Sequence, residues 1–94
     1  MIQLRFTSHL EKFFPGLGEL RLEARDVAAL IRLADERFPG LAAYVVNEHG
    51  ALRPHVNVFI GDERIHDRQG LTDALQDGDV VTILQALSGG MMRK

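Results

Sequence analysis

The residues best suited to chemistry are two adjacent glycines, Gly89 and Gly90, in the stretch LQALSGGMMRK. They follow a run of strand-forming residues, so they would leave the folded body as an extended peptide without side chains. Such a peptide can enter a channel too narrow for any other residue. A partner's active site would then reach a carboxyl group on Gly90 while the globular body stays outside. The alternative is that the glycines have no role, as is common for small residues at chain termini.

A carboxylate is unreactive until one of its oxygens becomes a leaving group, and adenylation by ATP achieves this. The acyl adenylate can accept sulfur to give a thiocarboxylate, or be attacked by a thiol or an amine. The chain contains no cysteine, which excludes disulfides, thiolate metal sites and a side-chain thiol nucleophile. The reactive atom would therefore be installed on the terminus and not carried on a side chain.

The remaining polar residues predict no catalytic group. Asp77 and Asp79 flank Gly78 and are explained by a tight turn, and Ser88 has no identifiable His–acid pair. Four histidines lack the spacing of metal ligands and are predicted to lie on the surface: His9, His49, His55 and His66. We therefore predict a protein that is a substrate of enzymes, is not itself an enzyme, and needs no cofactor or metal.

The composition is that of one globular domain. The chain has 94 residues, of which 46% are hydrophobic and 26% charged, with a formal net charge of -2. That charge gives no electrostatic reason to expect nucleic acid. No apolar run approaches the roughly 20 residues of a membrane-spanning helix, and the opening MIQLRF reads as a strand and not as a signal peptide. We expect a cytoplasmic protein without a membrane partner.

Hydrophobic periodicity predicts strands around one main helix. Alternation of apolar and polar residues indicates strands at residues 2–7, 19–23 and 56–60, with a short strand around Arg64 and Ile65 and a final, largely apolar strand at residues 80–84. A helix is predicted over residues 26–38, with Asp26 as N-cap and Pro39-Gly40 as its stop.

Three connections are harder to interpret. Residues 8–18 contain one proline and two glycines and are predicted to hold no long helix. The apolar part of residues 41–53 fits either a short helix or a packed loop. Leu71, Ala74 and Leu75 fit one helical turn.

This order of elements predicts an α+β fold. One helix between pairs of strands implies a crossover onto one face of a mixed sheet. The last strand is almost wholly apolar, which favours a central position in that sheet. The arrangement is a β-grasp, the ubiquitin-like roll, although periodicity alone leaves a ferredoxin-like sandwich as a competitor. We expect the β-grasp domain to span residues 1–88 and a flexible C-terminal tail to span residues 89–94.

The C-terminal third resembles a known family. The pieces VNVFIGDE, LTDALQDGDVVTIL and SGG stand in the order and spacing of the ThiS/MoaD-type sulfur carriers, the ubiquitin-like proteins of thiamin and molybdopterin biosynthesis. The first strand and the main helix fit that family's outline without being diagnostic. The resemblance therefore covers most of the chain loosely and its last third specifically.

The resemblance implies roles for four residues. An E1-like (MoeB/ThiF-type), ATP-dependent adenylyltransferase would activate the carboxyl of Gly90, which is then converted to a thiocarboxylate, with Gly89 as its narrow neighbour. Apolar side chains on the outer face of the sheet would dock this enzyme. Strand alternation makes Leu84 the exposed candidate, with Phe59 as its neighbour. The alternative is that both side chains are merely half-buried and dock no partner. For Phe59 this alternative has the same weight as a role in docking.

Two departures from the family pattern shape the expected pathway. Gly90 is followed by Met91, Met92, Arg93 and Lys94, so its carboxyl is held in a peptide bond. This resembles carriers made as precursors and cut by a JAMM-type metalloprotease, here between Gly90 and Met91. Gln85 occupies a position that is often proline in molybdopterin-type carriers.

The departures favour delivery of sulfur to a biosynthetic enzyme such as a cysteine synthase. Three alternatives remain: the small subunit of molybdopterin synthase, a protein modifier conjugated to lysine, and a ubiquitin-like interaction module whose tail is chemically idle.

Overall fold

The computed structural model describes residues 1–6 and 8–85, apart from the side chains of Ser8 and His9. The predicted tail, its glycines and the boundary at residue 88 lie outside the described residues. Within them, five strands form one mixed sheet in the order β2-β1-β5-β3-β4. The strands are β1 Ile2–Phe6, β2 Glu19–Leu22, β3 Val56–Ile60, β4 Glu63–Arg64 and β5 Val80–Gln85.

The central strand is β5. It runs parallel to β1 and antiparallel to β3, while β2 and β4 close the two edges as antiparallel partners of β1 and β3. The sheet and its crossover helix confirm the predicted β-grasp. A ferredoxin-like sandwich would need a second long helix before the last strand, and an irregular loop leads into β5 here.

The main helix is α2, Val27–Arg37, within one residue of the predicted bounds. The Asp26 carboxylate accepts a hydrogen bond of 2.8 Å from the Ala29 N–H, as predicted for an N-cap. Two shorter helices precede and follow it: α1 Ser8–Glu11, a single turn in the first connection, and α3 Leu41–Val45. The uncertain stretch 41–53 is thus a short helix followed by a packed loop. No helix in the described part of the chain is long and apolar enough to cross a membrane.

The predicted helical turn at Leu71, Ala74 and Leu75 is wrong. Residues 71–75 form an irregular loop in which Leu71 has φ +55°. Their backbone carbonyls serve α2 instead of a helix of their own, because the Leu71 carbonyl accepts from the Ala28 N–H at 3.0 Å and the Asp73 carbonyl from the Val27 N–H at 3.2 Å. These bonds satisfy first-turn donors of α2 that have no partner within the helix.

One core lies between the inner face of the sheet and the helices. The middle of that face is fully buried, and Leu4, Val58 and Val81 have no exposed surface. The helix contributes Val27, Leu30, Ile31 and Ala34 from one side. Because strands alternate, this burial fixes the opposite face of β3 and β5 as the outer, solvent-facing one.

Candidate docking site at the base of the tail

The site lies at the end of β5, where side chains alternate between the core and the outer face of the sheet. Val81 and Ile83 point into the core and are 0% and 1% exposed, whereas Leu84 points outward and is 38% exposed. The predicted inward and outward assignment is therefore confirmed. One residue after Leu84, at Gln85, the strand ends. The apolar side chain thus lies directly beside the point from which the chain continues toward Gly90.

Phe59 lies on the same outer face. The register of β3 and β5 places Asn57 opposite Leu84, and Phe59 opposite Thr82. Phe59 and Leu84 are therefore diagonal neighbours on adjacent strands, a relation in which side chains are roughly 7–8 Å apart. Phe59 itself is half-buried. We refer to Phe59, Leu84, Asn57 and Thr82 as the outer patch.

Arginines surround the outer patch. The Arg64 guanidinium carbon lies 5.9 Å from the centroid of the Phe59 ring, within the range of a cation–π interaction. Arg5 lies opposite Thr82 in the β1–β5 register and forms an exposed ion pair of 3.5 Å with Glu19. The patch therefore has a small apolar centre and a cationic rim in a chain whose net charge is negative.

Arg68 completes this rim from the loop before β5. Its Nη1 donates to Asn57 Oδ1 at 3.2 Å and its Nη2 to the Arg53 carbonyl at 2.9 Å. The Arg68 carbonyl in turn accepts from the Leu52 N–H at 2.8 Å. These bonds hold the guanidinium in one place next to Asn57, the residue opposite Leu84.

Two carboxylates hold the loop that carries Arg68. The Asp67 carboxylate accepts hydrogen bonds from the Gly70 N–H at 2.9 Å and from the Thr72 hydroxyl at 2.6 Å. The Gly70 bond is the largest cause, and the Thr72 hydroxyl bond the next, of the lowering of the Asp67 pKa from 3.8 to about 2. The Asp73 carboxylate accepts from the His66 and Asp67 N–H groups, and the His66 bond is the main cause of its lowered pKa. Both groups are stabilised in the charged form that accepts these bonds.

A groove lies on the opposite side of the strand end. It is lined by Ala43, Tyr44, Arg53, His55 and Gln85. The Gln85 amide nitrogen lies 3.3 Å from His55 Nε2, while the Gln85 amide oxygen is buried and has no hydrogen-bond partner among the described residues. Leu84 and Gln85 thus present different chemistry to the two sides of the chain at the base of the tail.

The other predicted residues fall into three groups. Gly89, Gly90 and Met91 lie outside the described residues. Three histidines are exposed, as predicted for surface residues, namely His49, His55 and His66. The turn at Gly78 is present with φ +93°.

The sequence interpretation missed the arginine rim. Strand alternation assigns Arg5 to the outer face and was a usable signal for it, as was the position of Arg64 in the short strand. No periodicity signals Arg68, which reaches the patch from an irregular loop.

The sheet, the single main helix and the exit of the chain from the central strand define a protein of the ubiquitin-like β-grasp class. The family model described as "ThiS family" matches residues 12–90, and the chain belongs to this family.

Two curated relatives carry different names. The chain is 33% identical to the sulfur carrier protein CysO of Mycobacterium tuberculosis over 66 residues, which cover 68% of this chain and 71% of CysO. It is also 33% identical to small archaeal modifier protein 3 of Haloferax volcanii over 64 residues, 68% of each chain.

Solved structures agree with this membership. A chain in the crystal structure of the BexX/CysO complex of Amycolatopsis orientalis superposes with a TM-score of 0.83 at 28% identity, covering 96% of this chain and 100% of that one. M. tuberculosis CysO superposes with a TM-score of 0.80 at 25% identity, covering 93% and 100%.

Proposed function

We propose that this protein is a sulfur carrier whose C-terminal Gly90, after removal of residues 91–94, is adenylated and converted to a thiocarboxylate that donates sulfur in biosynthesis. Cysteine or a related sulfur metabolite is the expected product of the pathway. The observation that carries the proposal is the position of Gly89-Gly90 shortly beyond the end of the central strand, in a ThiS-family chain whose relatives include a named sulfur carrier.

The proposed chemistry begins with hydrolysis of the peptide bond between Gly90 and Met91 by a JAMM-type metalloprotease. The freed carboxylate attacks the α-phosphorus of ATP in the E1-like adenylyltransferase, pyrophosphate leaves, and an acyl adenylate forms. A hydrosulfide ion then attacks the acyl carbon and AMP leaves, which gives the thiocarboxylate. The protein supplies no acid or base to these steps and acts by presenting Gly90.

The outer patch is proposed as the surface that docks the adenylyltransferase. Leu84 and Phe59 give it an apolar centre, and the arginine rim favours a partner whose facing surface is acidic. Gln85 ends the strand five residues before Gly90, a stretch that spans at most ~17 Å when extended. An enzyme bound to the patch would therefore hold its active site within that distance of the strand end.

A modifier function is the second candidate, and the likeness to small archaeal modifier protein 3 favours it. It shares the trimming and the adenylation with the carrier but ends in an amide bond to a lysine of another protein. The molybdopterin synthase small subunit predicts a stable complex with a large subunit that holds the tail. An interaction module predicts that deletion of Gly89 and Gly90 leaves function intact.

The first test is the intact mass of the untagged protein recovered from its own host. We expect a species ending at Gly90, part of it heavier by the exchange of one oxygen for sulfur. Material conjugated through Gly90 to other proteins would support the modifier instead. A chain that still carries residues 91–94, unchanged when the host is starved of sulfur, would contradict the carrier proposal.

A second test isolates activation from trimming. ATP–pyrophosphate exchange with the host adenylyltransferase is measured for three forms of the chain, residues 1–94, 1–90 and 1–89. We expect exchange with the 1–90 form only, because only this form offers the carboxylate of the second glycine. Equal exchange with the 1–94 form would show that Gly90 is not the activated residue.

A further inference from the structure

The distribution of side-chain amines in this chain is uneven. The sequence contains nine arginines and only two lysines, Lys12 and Lys94. Lys94 belongs to the segment that the proposed trimming removes. The chain of residues 1–90 therefore carries eight arginines and a single lysine, Lys12, so nearly all of its positive charge is on guanidinium groups.

This distribution matters for a chain with an activated terminus. An acyl adenylate reacts with amines, and the side-chain amine that a protein offers is that of an unprotonated lysine. Arginine has the same charge but stays protonated and does not act as a nucleophile near neutral pH. A carrier with arginine in place of lysine keeps its cationic surface without offering acceptors for its own acyl group.

The one remaining lysine follows the end of β1, where Phe6 pairs with Ile83 near the end of β5. Lys12 is exposed, and within the described residues it forms no ion pair. The ring of the next residue, Phe13, stacks on Tyr44 with their centroids 5.3 Å apart. Tyr44 lines the same groove as Gln85, the last residue of β5. Lys12 is thus next to a residue that contacts the groove at the end of β5, and the five residues from Gln85 to Gly90 span up to ~17 Å.

We propose that Lys12 is a modification site, the amine that accepts the acyl group of Gly90 when an activated carrier is not supplied with sulfur. This inference rests on the adenylation proposed above. Once the adenylated terminus has left the enzyme's channel, the Lys12 Nζ attacks the acyl carbon, the C–N bond forms, the C–O bond to AMP breaks, and a proton from the amine passes to solvent. The product is an amide within one chain or between two copies.

The test uses the 1–90 chain with the host adenylyltransferase and ATP, in the absence of a sulfur source. ATP–pyrophosphate exchange reports adenylation, and peptide mass spectrometry reports the amide. We expect a Gly90–Lys12 amide, which Lys12→Arg abolishes while leaving exchange unchanged. Added sulfide is expected to suppress the amide in favour of the thiocarboxylate.

Arg25→Lys provides an internal comparison. Arg25 is exposed and shares a surface groove with Ile2 and Asp77. Ile2 is the first residue of β1, and Asp77 lies three residues before β5. This groove is at the opposite end of β5 from the tail, a strand of six residues that spans about 20 Å. The variant offers two lysines in one molecule, and we expect about a tenfold excess of amide at Lys12, because proximity raises its effective concentration.

The outcomes separate the two proposals. Absence of exchange would overturn the proposed adenylation itself. Exchange without an amide at Lys12, or with acylation of the α-amino group instead, would overturn the role of Lys12 alone. Equal amide at residues 12 and 25 of the Arg25→Lys chain would show that the position of Lys12 has no influence.

Discussion

Truncation of Leu84 tests whether the outer patch docks the activating enzyme. Complete burial of a leucine side chain contributes ~1.5–3 kcal/mol, and 38% of this side chain is still exposed in the free protein. Burial of that remainder by a partner is therefore worth about 0.6–1.1 kcal/mol. We expect Leu84→Ala to raise the KM of the adenylyltransferase for the 1–90 chain about threefold to sevenfold. We expect kcat to stay the same, because the contact would be equal in the ground and transition states.

The matched control is Val80→Ala. Val80 lies on the same strand and the same outer face but at the other end of β5, four residues from Leu84. It should therefore leave KM unchanged. Because the truncation also removes packing inside the protein, thermal unfolding of both variants must show that they are folded at the assay temperature. An unchanged KM for folded Leu84→Ala, or an equal rise for Val80→Ala, would refute docking at the outer patch.

Three further variants test the packing, the loop and the rim. Ile83→Ala, at a side chain only 1% exposed, should lower the free energy of unfolding by about 2–5 kcal/mol in urea titrations, and a loss below 1 kcal/mol would contradict the central position of β5. Asp67→Asn should lower the free energy of unfolding at pH 7. The folded-state pKa of Asp67 is depressed from 3.8 to about 2, so the stabilisation by its carboxylate is present above pH 4 and is lost as pH falls through 2. The difference in stability between the variant and the unaltered protein should therefore vanish near pH 2. Arg64→Gln should raise KM about twofold to fivefold at low ionic strength, from ~0.5–1 kcal/mol for an exposed charge pair, and an effect that persists in high salt would not be electrostatic.

The regular elements could be predicted because each rests on a local pattern. The alternation in residues 80–84 predicted both the strand and the outward direction of the Leu84 side chain. A shift of one residue in this alternation would place the apolar Ile83 side chain in solvent. The main helix was equally accessible, with Asp26 before it and Pro39 after it. The central position of β5 followed from its composition, because strands covered on both sides are apolar throughout.

The loop before β5 could not be predicted because its structure depends on distant partners. Leu71 and Leu75 have the spacing of a helical turn, and both are buried. The backbone between them is used to satisfy donors at the start of α2, which a local pattern does not reveal. The same limit applies to Arg68, whose position depends on Asn57 and the Arg53 carbonyl.

The central strand gives the proposed carrier its geometry. β5 is paired with β1 as far as Ile83 and with β3 as far as Gln85, so its last residues are held relative to the outer patch by β3. Leu84 belongs to that patch and is also the second-last residue of the strand. Recognition of the patch therefore fixes where the five residues leading to Gly90 begin, and a partner needs only to match their length. A strand paired on only one side along its whole length would not fix this point as well, because it can separate from the sheet without disrupting the centre of the core.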